Sequence, residues 1–527
     1  MVASILRQTG SGDIEARLVG NHRGVKVFGG VQRGLFSKSP LWRIPPGRKE
    51  RTLKEKQKKT GRAGTPLVSV LFGNRHFYGE ILAVTVPIAV QNAISNFISL
   101  LDNIMVGQVG TEQMSGVSIV NQLMFVYYLC IFGAVSGAGL FTAQFAGKGD
   151  AEGIRHTFRY KLYSAFLFCG GATVLFLTCG EGLISLYLHE GGETGDIALT
   201  MHYAKQYLAV VMIGMLPNAL TQVYSGTLRE VGHTVPPMTA GLVGVAVNGI
   251  LNYLLIFGKL GIPALGVRGA ALATVIARFT ELAIVVIWTH THGRLCPFVR
   301  GLYASLRVPG PLARKIFVTG TPLLVNETMW AASQAMLLQC YSERGIAVVS
   351  ALNISNTLFN TAAVLYMSLG TAIAIVLGQK LGRSGREEAR AAAPKLITLS
   401  LLAGLLTTLI IFSCSFFFPD IYHTTDEVKD LARILMRISA LSAPIQAFMN
   451  ASYFTLRSGG KTVVTFLFDS VYAWVVSVTL AFCLVRFTAL PLPAVYAIVQ
   501  VVDLSKCALG LILVRQGGWV TTIVAHE

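Results

Sequence analysis

Two stretches of this sequence, TVPIAVQNAISN (85–96) and GTPLLVNETMWA (320–331), place a proline at the same point of an apolar run. Pro87 of the first stretch and Pro322 of the second lie 235 positions apart. Packed membrane helices accommodate an interior proline, because neighbouring helices satisfy the backbone groups that it frees. The pair therefore indicates two related membrane helices in one chain.

The same relationship extends along both halves of the chain. GKGDAEGIR (147–155) and GRSGREEAR (382–390) are also 235 positions apart, whereas TLREVGHT (227–234) matches TLRSGGKT (455–462) at a distance of 228. The seven-residue difference is most easily placed in the external loop that carries HEGGETGD, because loops tolerate changes of length. We predict an internal repeat of two halves.

Each half contains six mostly apolar runs of about 20 residues, the length that crosses the hydrocarbon core of a bilayer. They lie near 80–106, 114–142, 158–180, 198–224, 235–258, 267–289, 315–340, 347–378, 394–418, 431–455, 463–485 and 490–514. Six crossings preserve orientation, so the repeats are parallel and an axis along the membrane normal relates them. The predicted fold class is an all-α integral membrane protein, with twelve transmembrane helices in two six-helix lobes around a central cavity. Rocking of such lobes exposes one site to either side in turn.

The composition agrees with a membrane location. Hydrophobic residues make up 53% of the chain and charged residues only 13%, about half the charged share of a soluble protein. The net charge of +18 does not indicate nucleic acid, because the basic residues concentrate before residue 76 and in alternate loops. Cytosolic loops carry such an excess of Lys and Arg. We expect a multi-pass protein of the plasma (bacterial inner) membrane, with both termini in the cytosol.

These patterns divide the chain into five segments. We expect a basic, disordered cytosolic extension (1–75), the N-lobe with spans 1–6 (76–290), a cytosolic inter-lobe loop (291–315), the C-lobe with spans 7–12 (316–515) and a cytosolic tail (516–527). A transit peptide and an extension upstream of the true start are alternatives for the first segment. The eight cysteines form no CxxC or Cys/His cluster, so neither a zinc site nor a disulfide framework is indicated.

Three stretches are distinctive, namely LLDNIMVGQVG (100–110), SGAGLFTAQFAGKGD (136–150) and NGILNYLLIFGKLGIPALGVRGAALATVIAR (248–278). They resemble the multidrug and toxic compound extrusion (MATE) family, in its bacterial NorM- and DinF-like branches. The similarity covers about residues 76–515. It implies a secondary active antiporter that exports small amphipathic, often cationic organic compounds in exchange for Na⁺ or H⁺. We expect no other cofactor, and we expect the protein to act as a monomer in the lipid bilayer.

Carboxylates inside the apolar runs are the candidates for ion coupling, because an ionisable group within a membrane is costly and burial favours its protonated form. Asp102 matches the first-helix carboxylate of the family, and Asn96 and Ser99 share much of its helical face. The alternative for Asp102 is a structural place near the outer membrane interface. Glu327 falls near the middle of the seventh span, where its alternative is a helix contact with Asn326 or Trp330. Either carboxylate is a candidate Na⁺ ligand.

Further polar residues lie within the spans. Asn248 and Asn252, four residues apart, match positions where DinF-like relatives carry an Asn and an Asp, so the second position has lost its titratable group here. Asp469 lies about two turns inside the eleventh span and is a further candidate. Gln91 and Trp330 are candidates for the substrate-binding wall, together with Met124, Tyr127, Met329 and Tyr366. Aromatic faces attract organic cations, although such residues are also ordinary packing groups.

Two charged pairs at i,i+3 spacing, Arg278 with Glu281 and Asp503 with Lys506, are interpreted as structural because opposite charges at that spacing neutralise each other. Three other classes of function would require other features. A flippase for lipid-linked or polysaccharide precursors would line its cavity with several unpaired arginines. A membrane-embedded enzyme would need a catalytic cluster such as HExxH, and the sequence has none. A channel would lack the acid-bearing cavity.

Overall fold

The computed structural model describes residues 70–188, 196–261, 263–383, 385–422 and 424–524, without the side chains of 97–104 and 346. The predicted extension 1–75 therefore lies almost wholly outside the described residues. Within the described part, the chain forms long helices joined by short connections. Two short 3₁₀ turns, Pro297–Val299 and Phe418–Ile421, lie between the long helices, and each predicted span falls on one of the long helices.

The N-terminal half contains six of these helices. They are α1 (Arg75–Gly107), α2 (Thr111–Lys148), α3 (Ala151–Ser185), α4 (Ile197–Glu230), α5 (Val235–Phe257) and α6 (Val267–Thr291). Helix α4 is interrupted by one 3₁₀ turn at Met212–Gly214. Asp150 is the N-cap of α3, because its side chain accepts hydrogen bonds from the backbone amides of Glu152 and Gly153 in the first turn.

The C-terminal half repeats this order with six further helices. They are α7 (Gly310–Ser342), α8 (Ile346–Gly382), α9 (Arg386–Cys414), α10 (Asp426–Ser458), α11 (Thr462–Phe487) and α12 (Leu492–Gln516). The middle of α11 is π-helical over Leu467–Val471 and Ala473–Val478. Such widened turns occur frequently at functional sites, and this one carries Asp469.

Ten of these helices are long and apolar enough to cross a membrane. The other two, α7 and α10, have 33 residues each but contain a higher proportion of polar side chains. In the second repeat, α7 and α10 occupy the places that α1 and α4 occupy in the first. The count of twelve spans stays a prediction, while the all-helical membrane architecture is confirmed.

Each half has its own hydrophobic core. Phe158, Met215 and Val285 are fully or almost fully buried in the N-lobe core, and Leu435 and Val495 are buried in the core of the C-lobe. Smaller buried clusters join the two lobes. One of them contains residues of α1 and α8, and another contains residues of α2 and α7. The chain is therefore two helix bundles held together over part of their height.

Helices α2 and α7 contact each other directly across the boundary between the lobes. A Cβ atom added to Gly137 would lie 2.5 Å from the Cα atom of Gly320, so the two backbones touch without intervening side chains. Small residues permit this approach between membrane helices. The contact lies toward the ends of the helices that adjoin the 148–151 and 382–386 turns, the end called here the inner side. Both ends of the described chain also lie there, because an even number of helices separates them.

The segment after α12, predicted to be a cytosolic tail, is packed against the inner side. Trp519 is 1% exposed, and its indole nitrogen donates a hydrogen bond to the carbonyl oxygen of Val514 (3.1 Å). The backbone nitrogen of Ile523 donates to Oε1 of Gln144 on α2 (2.7 Å), and Val524 is buried in a cluster with residues of α2 and α7. Residues 519–524 thus bridge the two lobes.

Candidate functional site

A central cavity of about 630 Å³ lies between the lobes, beyond their inner-side contacts. That volume is typical of sites for drug-sized molecules. Helices α1, α2, α4 and α6 contribute its N-lobe wall, and α7, α8, α10, α11 and α12 contribute its C-lobe wall. Both repeats therefore build one site, as the sequence predicted for two lobes around a cavity.

The C-lobe wall contains a carboxylate held beside a buried arginine. Glu327 of α7 lines the cavity, and its Oε1 lies 3.6 Å from Nη1 of Arg457 on α10. The Arg457 side chain is only 5% exposed and contacts the ring of Phe132, which belongs to α2 of the other lobe (5.8 Å). Arg457 therefore contacts both the cavity acid Glu327 and an aromatic residue of the opposite lobe.

A second ion pair crosses from α11 to α12. Nζ of Lys506 donates to Oδ1 of Asp469 at 2.8 Å, while Oδ2 of Asp469 accepts a hydrogen bond from the Asn326 amide of α7 (3.1 Å). Asn326 also accepts from the Ser470 hydroxyl (2.7 Å). The widened turn of α11 therefore places Asp469 and Ser470 against α7. Asn326 therefore contacts α11, while Glu327 contacts Arg457 of α10.

Asp503 of α12 has a different environment from the other acids. Its carboxylate accepts hydrogen bonds from the Gln446 amide (3.1 Å) and the Ser477 hydroxyl (3.4 Å). The predicted pairing of Asp503 with Lys506 is wrong, because Lys506 turns toward α11 and reaches Asp469 instead. Asp503 thus faces the cavity with neutral partners, and no ion pair within 4 Å joins it to another described residue.

The N-lobe wall carries two arginines with unlike partners. Arg278 of α6 forms the predicted pair with Glu281, with Nη1 3.0 Å from Oε2. Arg229 of α4 donates from Nη2 to the neutral side chain of Gln91 on α1 (2.9 Å). The polar residues around Arg229 on the cavity side of α4 are uncharged, and they are Asn218, Thr221, Gln222 and Ser225.

The predicted site residues fall into three groups. Gln91, Glu327, Trp330 and Asp469 all line the cavity. Asn96 is exposed and lies outside the lining, and the side chains of Asp102 and Ser99 lie outside the described part of the chain. Their roles, including Na⁺ binding at Asp102, stay predictions.

Asn248 and Asn252 lie away from the cavity. They are 5% and 1% exposed, Asn252 donates to Asn248 (3.2 Å), and Asn248 donates to Thr274 of α6 (3.3 Å). This chain of amides joins α5 to α6, which is the interhelical contact that buried amides often make. Among the suggested wall residues, Tyr366 lines the cavity, whereas Met124 and Tyr127 are buried in the N-lobe core.

Sequence reasoning missed both Arg229 and Arg457 as components of the site. The signal was present, because both belong to the repeated TLR motif and lie 228 positions apart. An ionisable group inside a membrane is a candidate functional residue. An arginine that recurs within the apolar helices of both halves therefore predicts a functional site, as the carboxylates do.

For a cation such as Na⁺, which takes oxygen ligands, the described residues fit best at Asp503. The Ser477 hydroxyl contacts its carboxylate, and the Gln446 amide nitrogen that donates to Oδ2 also lies 3.5 Å from Oε1 of Gln500, so two neutral side-chain oxygens lie nearby. Glu327 and Asp469 fit less well, because a guanidinium and an ammonium already face them. A metal site built from three or more His, Cys, Asp or Glu side chains is absent from the residues that the structure describes.

Two helical lobes around a polar, charged cavity are the architecture of a membrane transporter. The sequence profile of the MatE family matches residues 87–254 and 322–483, one segment in each repeat. The chain belongs to this family.

Named relatives and solved structures agree with the assignment. A probable multidrug resistance protein NorM from Thermotoga maritima is 25% identical over 453 residues, covering 84% of this chain and 92% of the relative. A mutant of the Vibrio cholerae MATE transporter VcmN superposes with a TM-score of 0.75 at 16% identity, covering 86% and 99% of the two chains. An outward-facing multidrug resistance MATE transporter of the MOP superfamily gives a TM-score of 0.74 at 18% identity, covering 86% and 98%. These two structures share the fold.

Proposed function

We propose that this protein is a multidrug exporter of the membrane, which moves small amphipathic organic compounds outward in exchange for Na⁺ or H⁺. The observation that carries the proposal is the cavity between the repeats, because it combines drug-sized volume, aromatic walls and carboxylates inside a membrane protein. The names of the NorM relatives supply the class of substrate.

The aromatic and acidic groups lie together on the C-lobe wall. Trp330, Tyr366, Tyr453 and Phe454 line the same cavity as the three acids Glu327, Asp469 and Asp503. Aromatic faces and carboxylates both attract organic cations. An ion that enters from outside and binds these acids competes with a cationic substrate for the same charge, so ion entry favours substrate release.

The position of the contacts between the lobes fits an outward-facing state. The lobes touch on the inner side, where both ends of the described chain lie, and the cavity lies beyond that contact. We propose that both termini face the cytosol of a cell with this protein in its inner membrane, since basic loops favour the cytosolic side. The cavity of this state is then accessible from outside.

The decisive experiment is efflux of a fluorescent organic cation from proteoliposomes, with an imposed Na⁺ gradient compared with an imposed pH gradient. We expect one of the two gradients to drive efflux. We also expect Glu327→Gln or Asp102→Asn to abolish that efflux while the protein still inserts into the membrane. Wild-type rates in both variants would contradict the coupling assignment, and no efflux under either gradient would contradict the exporter itself.

The partner of Glu327 supplies the control. Glu327→Gln leaves Arg457 buried without its carboxylate, and an unpaired buried charge destabilises a protein. The double variant Glu327→Gln/Arg457→Gln removes both charges and is expected to regain thermal stability without regaining ion-driven efflux. Recovery of efflux along with stability would indicate that Glu327 is structural.

Export of a lipid-linked or polysaccharide precursor is not favoured. The basic residues Arg278 and Lys506 on the cavity wall are paired with acids, and Arg457 pairs with Glu327 behind the wall. The aromatic, acid-rich C-lobe wall is a poor surface for a large polyanionic headgroup. One basic side chain, Arg229, departs from this pattern.

A further inference from the structure

Arg229 is the cavity-lining cation that forms no ion pair within 4 Å among the described residues. Its Nη2 donates to the neutral Gln91, and its Nε atom is buried without a hydrogen-bond partner in that part of the chain. The neighbouring Glu230 does not neutralise it by direct contact, because the Glu230 carboxylate binds the buried Lys161 of α3 instead. A guanidinium with unused donors at a cavity wall is suited to bind an anion.

The repeat explains how Arg229 came to lack a carboxylate. Its equivalent in the C-lobe, Arg457, faces Glu327. The N-lobe residue equivalent to Glu327, at the 235-position distance of the repeat, is Asn92. The N-lobe therefore keeps the arginine and replaces its acid by an amide.

The second acid of the C-lobe is also replaced. At the 228-position distance that relates the two TLR motifs, Asp469 corresponds to Gly241. A Cβ atom added to Gly241 would lie 3.3 Å from the Gln91 side chain, so the space that an acid would occupy is filled by the amide that Arg229 binds. The presence of Asn92 in place of an acid thus leaves Arg229 as a net positive group on one wall, opposite a wall with three acids.

We propose that Arg229 is an anion subsite that binds the carboxylate of zwitterionic organic substrates, whose basic group faces the C-lobe acids. This inference rests on the proposed exporter function and narrows its substrate class. Polar side chains on the cavity face of α4, Ser225 and Gln222 among them, offer further hydrogen-bond donors to the same carboxylate. A purely cationic compound gains nothing from Arg229, so the subsite discriminates between molecules that differ in one charge.

The test uses two dyes that differ in that charge, the zwitterion rhodamine B and its cationic ethyl ester. Equilibrium binding to the purified full-length protein is measured by fluorescence polarisation, without any ion gradient. We expect Arg229→Gln to weaken rhodamine B binding about tenfold, the loss of one charge-assisted hydrogen bond, and to leave ester binding within about twofold. Arg229→Lys is expected to retain most of the preference because it keeps the positive charge.

Equal affinity of the wild type and Arg229→Gln for rhodamine B, including the absence of binding to both, would overturn the proposal. An equal loss for both dyes would also overturn it, since Arg229 would then act on cavity shape or folding. Thermal unfolding of Arg229→Gln and Arg229→Lys measures the latter directly. Because binding is measured without a gradient, failure of the subsite is distinguishable from failure of ion-driven export in proteoliposomes.

Discussion

Gln144 of α2 and Gln379 of α8 occupy equivalent positions in the two repeats, and each donates to the backbone at the end of the fourth helix of the opposite lobe. Nε2 of Gln144 donates to the carbonyl oxygen of Ser458 (3.2 Å), and Nε2 of Gln379 donates to that of Glu230 (2.7 Å). Ser458 and Glu230 are themselves equivalent, 228 positions apart. The same hydrogen bond thus joins the lobes on the inner side in both repeats, and an inward-open state must break both.

Gln379→Leu is therefore expected to shift the protein toward the inward-open state. A leucine cannot donate to the Glu230 carbonyl, and a lost hydrogen bond of about 1 kcal/mol changes a two-state ratio about fivefold. Spin–spin distances between labels on the two lobes, at the inner ends of α3 and α9, measure that ratio. Gln339→Leu on an exposed face of α7 is the matched control, and an equal shift in both variants would contradict the role of Gln379.

Lys161 and Glu230 form a pair whose loss we expect to be costly. The Lys161 side chain is fully buried and that of Glu230 is 13% exposed. Lys161→Met leaves the acid unpaired in the N-lobe and should destabilise the protein by about 3 kcal/mol, as for other buried pairs that lose one partner. Thermal unfolding in detergent checks this value.

A second Lys–Glu pair provides the comparison. Lys205 and Glu181 also bind each other, but their side chains are 43% and 74% exposed. Lys205→Met should change stability by less than about 1 kcal/mol, because exposed pairs contribute little. Equal effects of the two lysine variants would refute the distinction drawn from burial.

Gly459→Ala is expected to displace the segment that bridges the lobes. A Cβ atom at Gly459 would overlap the carbonyl oxygen of Trp519, a backbone atom that cannot move without the whole segment. Overpacking of this kind costs about 1–3 kcal/mol. Faster hydrogen exchange at residues 519–524 is the expected readout, and Gly518→Ala, whose Cβ meets nothing within 4 Å, should leave exchange as in the wild type.

Asp503→Asn tests the site that best fits a coupling cation. Asparagine keeps the shape of the side chain beside Gln446 and Ser477 but removes the charge that a cation needs. We expect the concentration of Na⁺ or H⁺ for half-maximal efflux to change at least tenfold, with little change in thermal stability. Asp420→Asn, in an exposed 3₁₀ turn outside the cavity lining, is the control, and an unchanged ion dependence in Asp503→Asn would remove Asp503 from the coupling mechanism.

The sequence by itself determined the helices, their order and their repetition. Length and apolar content are properties of a single segment in a bilayer, so each long helix could be located without its neighbours. Charges inside such segments are costly wherever they lie, and for this reason Glu327 and Asp469 could be identified as candidates before the cavity was known.

Only the tertiary structure decided which polar groups meet. Lipid and packed protein are equally apolar around a membrane helix, so hydrophobic periodicity does not indicate which face looks toward a cavity. Asn248 and Asn252 therefore had the pattern of a site but lie between α5 and α6. Lys506 passes over Asp503 on its own helix to reach Asp469, 37 positions away, because the widened turn of α11 brings that acid within 2.8 Å. The sequence shows that an amide, Asn92, stands where the C-lobe has Glu327, but only the packing of the helices shows that Arg457 contacts Glu327 and Arg229 contacts Gln91.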